Sequence, residues 1–248
     1  MRSVCFVSDL HLFARRSTAA AHYDHLVQTA AGCDLLVLGG DIFDYRWSTL
    51  ASRQATTDAA LDWLDRLLDD LPGTELRYLL GNHDHVQPLV DALPGFALVR
   101  PRLRWHEYYL RIGPAMFLHG DVADRPLRKE SSREHFERRR SRSLHHGRRR
   151  RGRMSNAAYA ALLQTRTQHV VPRVVYPKRV AARRILKYLD LIGQRDGVTE
   201  LFFGHTHRPI DAFRYQGVTF HNPGAPIGAA PLVALRTEVE TSAQIVAA

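Results

Sequence analysis

Short apolar runs of strand length alternate with longer helical ones along most of this 248-residue chain, a pattern that predicts an α/β layered fold. Val4 to Val7, Leu35 to Leu38 and Leu76 to Leu80 are three such runs, and each leads straight into a polar cluster. Helices are expected between them. One spans Thr18 to Ala31, and a longer one runs from Thr57 to Leu71, where Leu61, Leu64, Leu67, Leu68 and Leu71 recur at helical spacing before Pro72-Gly73 stops it. Further strands are predicted at Phe96 to Val99, Leu103 to Ile112, Ala115 to Leu118, Glu200 to Phe203, Ala212 to Tyr215, Val218 to His221 and Leu232 to Arg236. Several are adjacent and amphipathic, so a mixed sheet or two stacked sheets is expected rather than one purely parallel sheet.

Between residues 125 and 190 the pattern changes character. Ser155 can cap a helix through Ala157, Tyr159, Ala161, Leu162 and Leu163, and Pro177 can open a second. In that second helix Ala181, Ile185, Tyr188, Leu189 and Ile192 form an apolar face, opposite Arg179, Arg183, Lys187 and Asp190. The runs between Arg138 and Arg153 read as a loop. The core is therefore expected at 1–124 and 191–248, with 125–190 a basic helical insertion.

Charge sharpens this division. The chain carries +10 overall, yet residues 125–190 hold twenty Lys and Arg against four acids, leaving the remainder at −6. An anionic partner is expected for that segment alone. Hydrophobic residues at 45% and charged residues at 24% are ordinary for a folded domain and exclude a disordered or collagenous chain. No apolar run approaches bilayer length, and MRSVCFVSDLHL reads as a strand rather than a signal peptide. Cys5 and Cys33 form no disulfide framework and no metal-ligand spacing, so they read as packing residues in a reducing, cytoplasmic setting.

Five polar clusters follow apolar runs and share one chemistry: Asp9-Leu10-His11, Gly40-Asp41-Ile42-Phe43-Asp44, Gly81-Asn82-His83-Asp84, His119-Gly120-Asp121 and Gly204-His205-Thr206-His207. Carboxylate, imidazole and amide oxygen together make the mixed oxygen and nitrogen set that Mn²⁺, Fe or Zn²⁺ accept. Two metals held close together need a carboxylate between them, and Asp41 is the candidate. Asp84 and Asp121 read as turn caps or as acceptors behind the ligands. Tyr45 and Trp47 read as packing residues that can border a pocket. The remaining histidines, among them His85, His106 and His221, match no ligand slot.

In this order the clusters resemble the calcineurin-like metallophosphoesterases, whose pattern is D-x-H, G-D-x-x-D, G-N-H-D/E, H and G-H-x-H. The resemblance implies a four-layer αββα sandwich and a binuclear metal centre. It also implies roles. Asp9, His11, Asp41 and His207 would bind one divalent metal, and Asp41, Asn82, His119 and His205 the other, with Mn²⁺ the expected ion. His83 would act beside the scissile phosphate with Asp44 orienting it. That agrees with the chemistry, since an imidazole of pKa near 6.5 suits protonation of a leaving oxygen.

A helical, Arg-rich insertion between H-G-D and G-H-T-H is similar to the UDP-2,3-diacylglucosamine pyrophosphatases, in which it forms a cap. That likeness implies hydrolysis of a pyrophosphate or phosphodiester bond, with an amphiphilic, lipid-linked pyrophosphate as substrate and peripheral contact with an anionic membrane surface. Arg179, Arg183 and Lys187 would bind that substrate. His83, where that subgroup has Arg, and Asn222-Pro223-Gly224 after the last motif depart from it. The alternatives are a general phosphodiesterase or nuclease whose Arg148 to Arg151 run neutralises nucleic-acid phosphates, and a non-catalytic scaffold.

Overall fold

The computed structural model describes residues 1–126, Glu134, Phe136, Glu137, 177–240 and 244–248. The expected helix from Ser155, the Arg138 to Arg153 run and most of the expected cap lie outside the described residues.

Two sheets stack face to face. The first contains β1 (Arg2–Val7), β2 (Leu35–Gly39), β3 (Glu75–Leu79), β4 (Leu103–His106) and β10 (Leu235–Val239), in the order β10-β1-β2-β3-β4. Strands β1 to β4 are parallel, and β10 closes the edge antiparallel to β1. The second sheet contains β5 (Tyr109–Ile112), β6 (Ala115–Leu118), β7 (Glu200–Phe203), β8 (Ile210–Tyr215), β9 (Val218–Asn222) and β11 (Ile245–Ala247), in the order β11-β5-β6-β7-β9-β8. It is mixed, with β6-β7 and β7-β9 parallel.

Alternation along each strand sorts the side chains into three apolar layers. Val4, Phe6, Leu35, Val37 and Leu79 face Leu110, Ile112, Phe117 and Phe202 between the sheets. There Phe117 and Phe202 stack at 5.0 Å, and Phe6 tilts against both at 5.9 Å. Cys5, Val7, Leu36, Leu38, Leu76 and Tyr78 point the other way, onto α1 (Tyr23–Ala30), α2 (Arg53–Asp70) and α3 (Gln87–Val99). On the far side Met116, Leu118, Leu201, Phe203 and Phe220 meet α4 (Lys178–Leu191), which contributes Ala181, Ala182, Ile185, Leu186, Tyr188 and Leu189. The result is an αββα sandwich. Each large side chain fully buried in it stabilises the fold by about 1.5–3 kcal/mol. Helix α4 follows Pro177 and keeps Arg179, Arg183 and Lys187 exposed, so its apolar face is a layer of the sandwich although it falls within the basic stretch.

Four expectations need correction. Phe96 to Val99 is the last turn of α3, not a strand: Leu89 and Leu93 are buried one helical turn apart, while Leu98 and Val99 are 84% and 73% exposed. Pro94 and Gly95 resemble breakers, but α3 continues through them because its apolar positions keep helical spacing. Leu103 to Ile112 is two strands, since the chain leaves the first sheet after His106 and joins the second at Tyr109. Leu232 to Arg236 moves to Leu235–Val239, where pairing runs from Phe6↔Leu235 to Arg2↔Val239 and Leu232 packs under the helices. Helix α2 begins at Arg53 rather than Thr57, because Ser52 Oγ accepts from the Ala55 amide at 3.0 Å, a cap worth about 1 kcal/mol.

Candidate metal centre

The first three clusters lie at the carboxyl ends of β1, β2 and β3, and the last two at those of β6 and β7. Open α/β sheets form their sites at such ends. The loops after β1 and β2 continue the parallel pairing: the Asp9 amide donates to Gly40 O (3.0 Å), His11 to Asp41 O (2.9 Å) and Leu12 to Ile42 O (2.8 Å). The cost is backbone strain. Asp9, His11, Asp41, His205 and His207 all have φ between 46° and 62°, each worth of order 1–3 kcal/mol against an L side chain. Two glycines permit the close approach. A Cβ on Gly81 would collide with Asp41, and one on Gly204 with Ser8 and Asp9.

All nine expected residues meet at one place. Asp9, His11 and His207 present ligand atoms within 4.8 Å of one another, as do Asp41, His119 and His205, and also His11, Asp41 and His83. Asn82 joins through Oδ1, which lies 3.2 Å from His119 Nε2. Arg179, Arg183 and Lys187 are not among the groups that line the centre.

The hydrogen-bond partners decide which ring atoms face inward. His119 Nδ1 lies 3.1 Å from Gly39 O, which can only accept, so this nitrogen carries the proton. Its Nε2 therefore faces Asn82 Oδ1 and, at 3.4 Å, Asp41 Oδ2, and offers a lone pair there once a cation takes the place of its second proton. His11 Nδ1 donates to Asp44 Oδ2 at 3.2 Å, leaving its Nε2 only 3.0 Å from His207 Nε2. His207 Nε2 is in turn 3.4 Å from Asp9 Oδ1. Imidazole nitrogens thus converge with carboxylate and amide oxygens at two points. A cation at each point satisfies them, so the donor set fits two divalent metals.

Electrostatics carry the same demand. Asp9, Asp41 and Asp44 are buried, and burial by itself pushes each carboxyl upward. Hydrogen bonding and charge from His207 instead hold Asp9 below its usual range, and His119 and His83 hold Asp41 well below. Burial opposes a charged His119, yet Asp41 and Asp9 raise it to about 10, because in the absence of a cation the ring must supply the positive charge. Burial, reinforced by Arg16, lowers His11 to about 4.

Asp44 is a hub. It accepts from His83 Nδ1 (2.9 Å), His11 Nδ1 (3.2 Å), Arg16 Nη2 (3.1 Å) and the amides of Arg46 (3.1 Å) and Trp47 (2.8 Å). Burial raises its carboxyl, but the His83 charge and the imidazole hydrogen bonds hold it well below the normal range. For His83, burial works against protonation and is outweighed by Asp44 and Asp41, which raise its pKa. Asp84 caps from beneath: it accepts from Ile42 N (2.8 Å), Gly81 N (2.6 Å) and the Tyr78 hydroxyl (2.7 Å).

Over the centre opens a cavity of about 250 Å³, lined by Asp41, Asn82, His83, His205 and His207 together with Arg16, Arg46 and Trp47. Sequence reasoning passed over both arginines. Arg16 lies five residues beyond His11 in no motif, while Arg46 could have been found from its place two residues after Asp44. The Arg16 side chain is only 8% exposed. The Arg46 guanidinium lies 5.6 Å from the Trp47 ring centroid.

Residues 2–209 match the calcineurin-like phosphoesterase family. The fold is similar to that of a dimetal phosphatase from Danio rerio at TM-score 0.50 and 16% identity, with 91% of this chain and 88% of that one aligned. A second solved structure aligns at TM-score 0.47 and 14% identity over 90% of this chain and 91% of its own. No curated protein matches the sequence. Among the described residues, no helix is long and apolar enough to cross a membrane. The family match spans five-sixths of the sequence, from the first strand to the last histidine cluster: the chain belongs to the calcineurin-like phosphoesterase family and is a metal-dependent phosphoesterase.

Proposed function

We propose that this enzyme hydrolyses a pyrophosphate or phosphodiester bond at a binuclear centre, with Mn²⁺ as its metal and an amphiphilic pyrophosphate as its substrate. The observation that carries the reading is the convergence of Asp9, His11 and His207 on one point and of Asp41, His119 and His205 on another. Asp9, His11, Asp41 and His207 would hold one ion, and Asp41, Asn82, His119 and His205 the second. When bound, two such ions polarise the phosphoryl oxygens and supply a nucleophile at neutral pH.

The remaining chemistry belongs to the chain. His83 lines the cavity with Nδ1 committed to Asp44, so Nε2 is the atom that protonates the leaving oxygen. Asp44 fixes that tautomer and raises the ring's basicity. Arg16 and Arg46 neutralise charge on phosphoryl oxygens, and Trp47 offers a flat surface beside them. Two guanidiniums at one cavity favour a substrate with two phosphoryl groups over a simple diester. The basic segment 125–190 would meet the amphiphile, with Arg179, Arg183 and Lys187 contributing from the exposed face of α4.

The test is hydrolysis with Mn²⁺ across phosphomonoesters, diesters, nucleotide pyrophosphates and nucleic acid, each against a chelator control. Metal-dependent turnover fastest on pyrophosphates is expected. Fastest cleavage of nucleic acid, falling steeply with salt, would replace the substrate assignment with a nuclease, and no turnover on any substrate would refute the reading.

A further inference from the structure

One imidazole at the centre has a carboxylate partner that lies outside the nine expected residues. His205 Nε2 lies 2.6 Å from Asp124 Oδ1. Asp124 ends the 3-10 turn Asp121–Asp124, which begins directly after His119 at Gly120, where φ is 107°. A Cβ on Gly120 would press on Phe203 and on Gly204 O at 3.0 and 3.2 Å, so this turn sits flush against the strand end that carries His205. One four-residue turn thus connects His119 to the carboxylate that holds His205. The turn is also gripped from outside, since Arg184 Nη1 of α4 donates to Ala123 O.

We infer that Asp124 is a positioning residue for His205, fixing its ring as the Nε2–H tautomer and presenting Nδ1 to the centre. The backbone of His205 is already set, because its amide donates to the Asp9 carboxylate at 2.8 Å and its φ is 62°. Only the ring torsions and the proton remain to be chosen. A carboxylate can only accept, so Nε2 must donate to it, and the lone pair that a cation needs is left on Nδ1. A partner of this kind both orients a ligating imidazole and increases its donor strength, and its loss costs about 10–100-fold in metal affinity. The consequence for affinity rests on the binuclear reading proposed above; the tautomer does not. Because α4 holds the turn, the helix that closes the basic stretch is mechanically joined to this ligand.

The experiment has two arms on the full-length protein. In the first, metal-stripped wild type, Asp124→Ala and Asp124→Asn are titrated with Mn²⁺ by calorimetry. Asp124→Ala is expected to weaken one of two sites about 10–100-fold with the other unchanged, and Asp124→Asn, which keeps an acceptor oxygen, to fall between it and wild type. Unchanged affinity at both sites in Asp124→Ala overturns the inference. In the second arm, long-range proton–nitrogen correlation spectra of the metal-free protein at alkaline pH report the His205 tautomer, assigned by its absence in His205→Gln. The Nε2–H form in wild type, lost in Asp124→Ala, is expected, and an Nδ1–H form in wild type overturns it. A wild type that binds no second ion defeats the binuclear reading, and the tautomer alone then decides the role of Asp124.

Discussion

The loops after β1 and β2 reach the centre already bonded to each other, whereas those after β6 and β7 reach it across the gap between the sheets. On the first side, Asp9, His11 and Asp41 are held by a continuing backbone ladder from Asp9 to Asp44, and their side chains are shut away from water. On the second side, one backbone bond, Gly204 N to His119 O at 2.8 Å, ties the two loops together. Attachment to the first sheet is through side chains: His119 Nδ1 to Gly39 O, and the Asp9 carboxylate to the His205 amide. The His205 and His207 side chains are 11% and 27% exposed. One half is a desolvated base, and the other joins the equally buried His119 to two histidines, His205 and His207, that face the cavity. Charge on the desolvated base must be balanced from within, so substitutions there are expected to act on both ions and on folding, and those in the other half on single ions.

Asp41→Ala breaks the comparison most severely. The carboxylate shared by both proposed sites disappears, so metal analysis should find neither ion at full occupancy and turnover should fall by more than about 10³-fold. His207→Ala, on the second side, should weaken mainly one ion, as should His119→Ala the other. Full two-metal occupancy in Asp41→Ala would remove its bridging role.

A sharper contrast separates His83 from Asp44. His83→Ala should retain both ions and lose on the order of 10²–10⁴ in kcat, the usual worth of a general acid or base. Asp44→Asn should do more than its position behind His83 implies, because Asp44 also holds His11 and Arg16: a weaker first ion should accompany a smaller loss of kcat. Elemental analysis beside steady-state kinetics distinguishes them, and loss of metal from His83→Ala would place that imidazole among the ligands.

The smallest effect is expected furthest from the centre. Neutralising Arg179, Arg183 and Lys187 together should leave turnover of a small chromogenic diester unchanged, since that substrate meets only the cavity. KM for a lipid-linked pyrophosphate should rise several-fold, as expected for the loss of three exposed charge contacts worth about 0.3 kcal/mol each. An unchanged KM would confine recognition to Arg16, Arg46 and Trp47.

Much of this centre is legible along the chain because each group of proposed ligands follows its own apolar strand, so local pattern and local chemistry coincide. Ala115 to Leu118 and Glu200 to Phe203 are strands at the expected bounds. Phe96 to Val99 was illegible because an apolar tetrad fits a strand as well as a helix end, and only the burial of Leu89 and Leu93 beneath the first sheet separates the two. The strand Ile245–Ala247 escaped for a similar reason: three residues carry no periodicity, and pairing with β5 alone makes them a strand.

By itself the sequence determined the strand-end clusters, their carboxylate, imidazole and amide composition, the alternation that divides the sheets' faces and the concentration of charge in residues 125–190. These are properties of neighbouring residues, read at periods of two and 3.6. Only the tertiary structure decided that α4 is a layer of the sandwich, that Arg16 reaches Asp44 and that Asp124 meets His205 across 81 positions. Such contacts join segments with no common period, and what brings them together is the stacking of two sheets whose strand ends open on the same side.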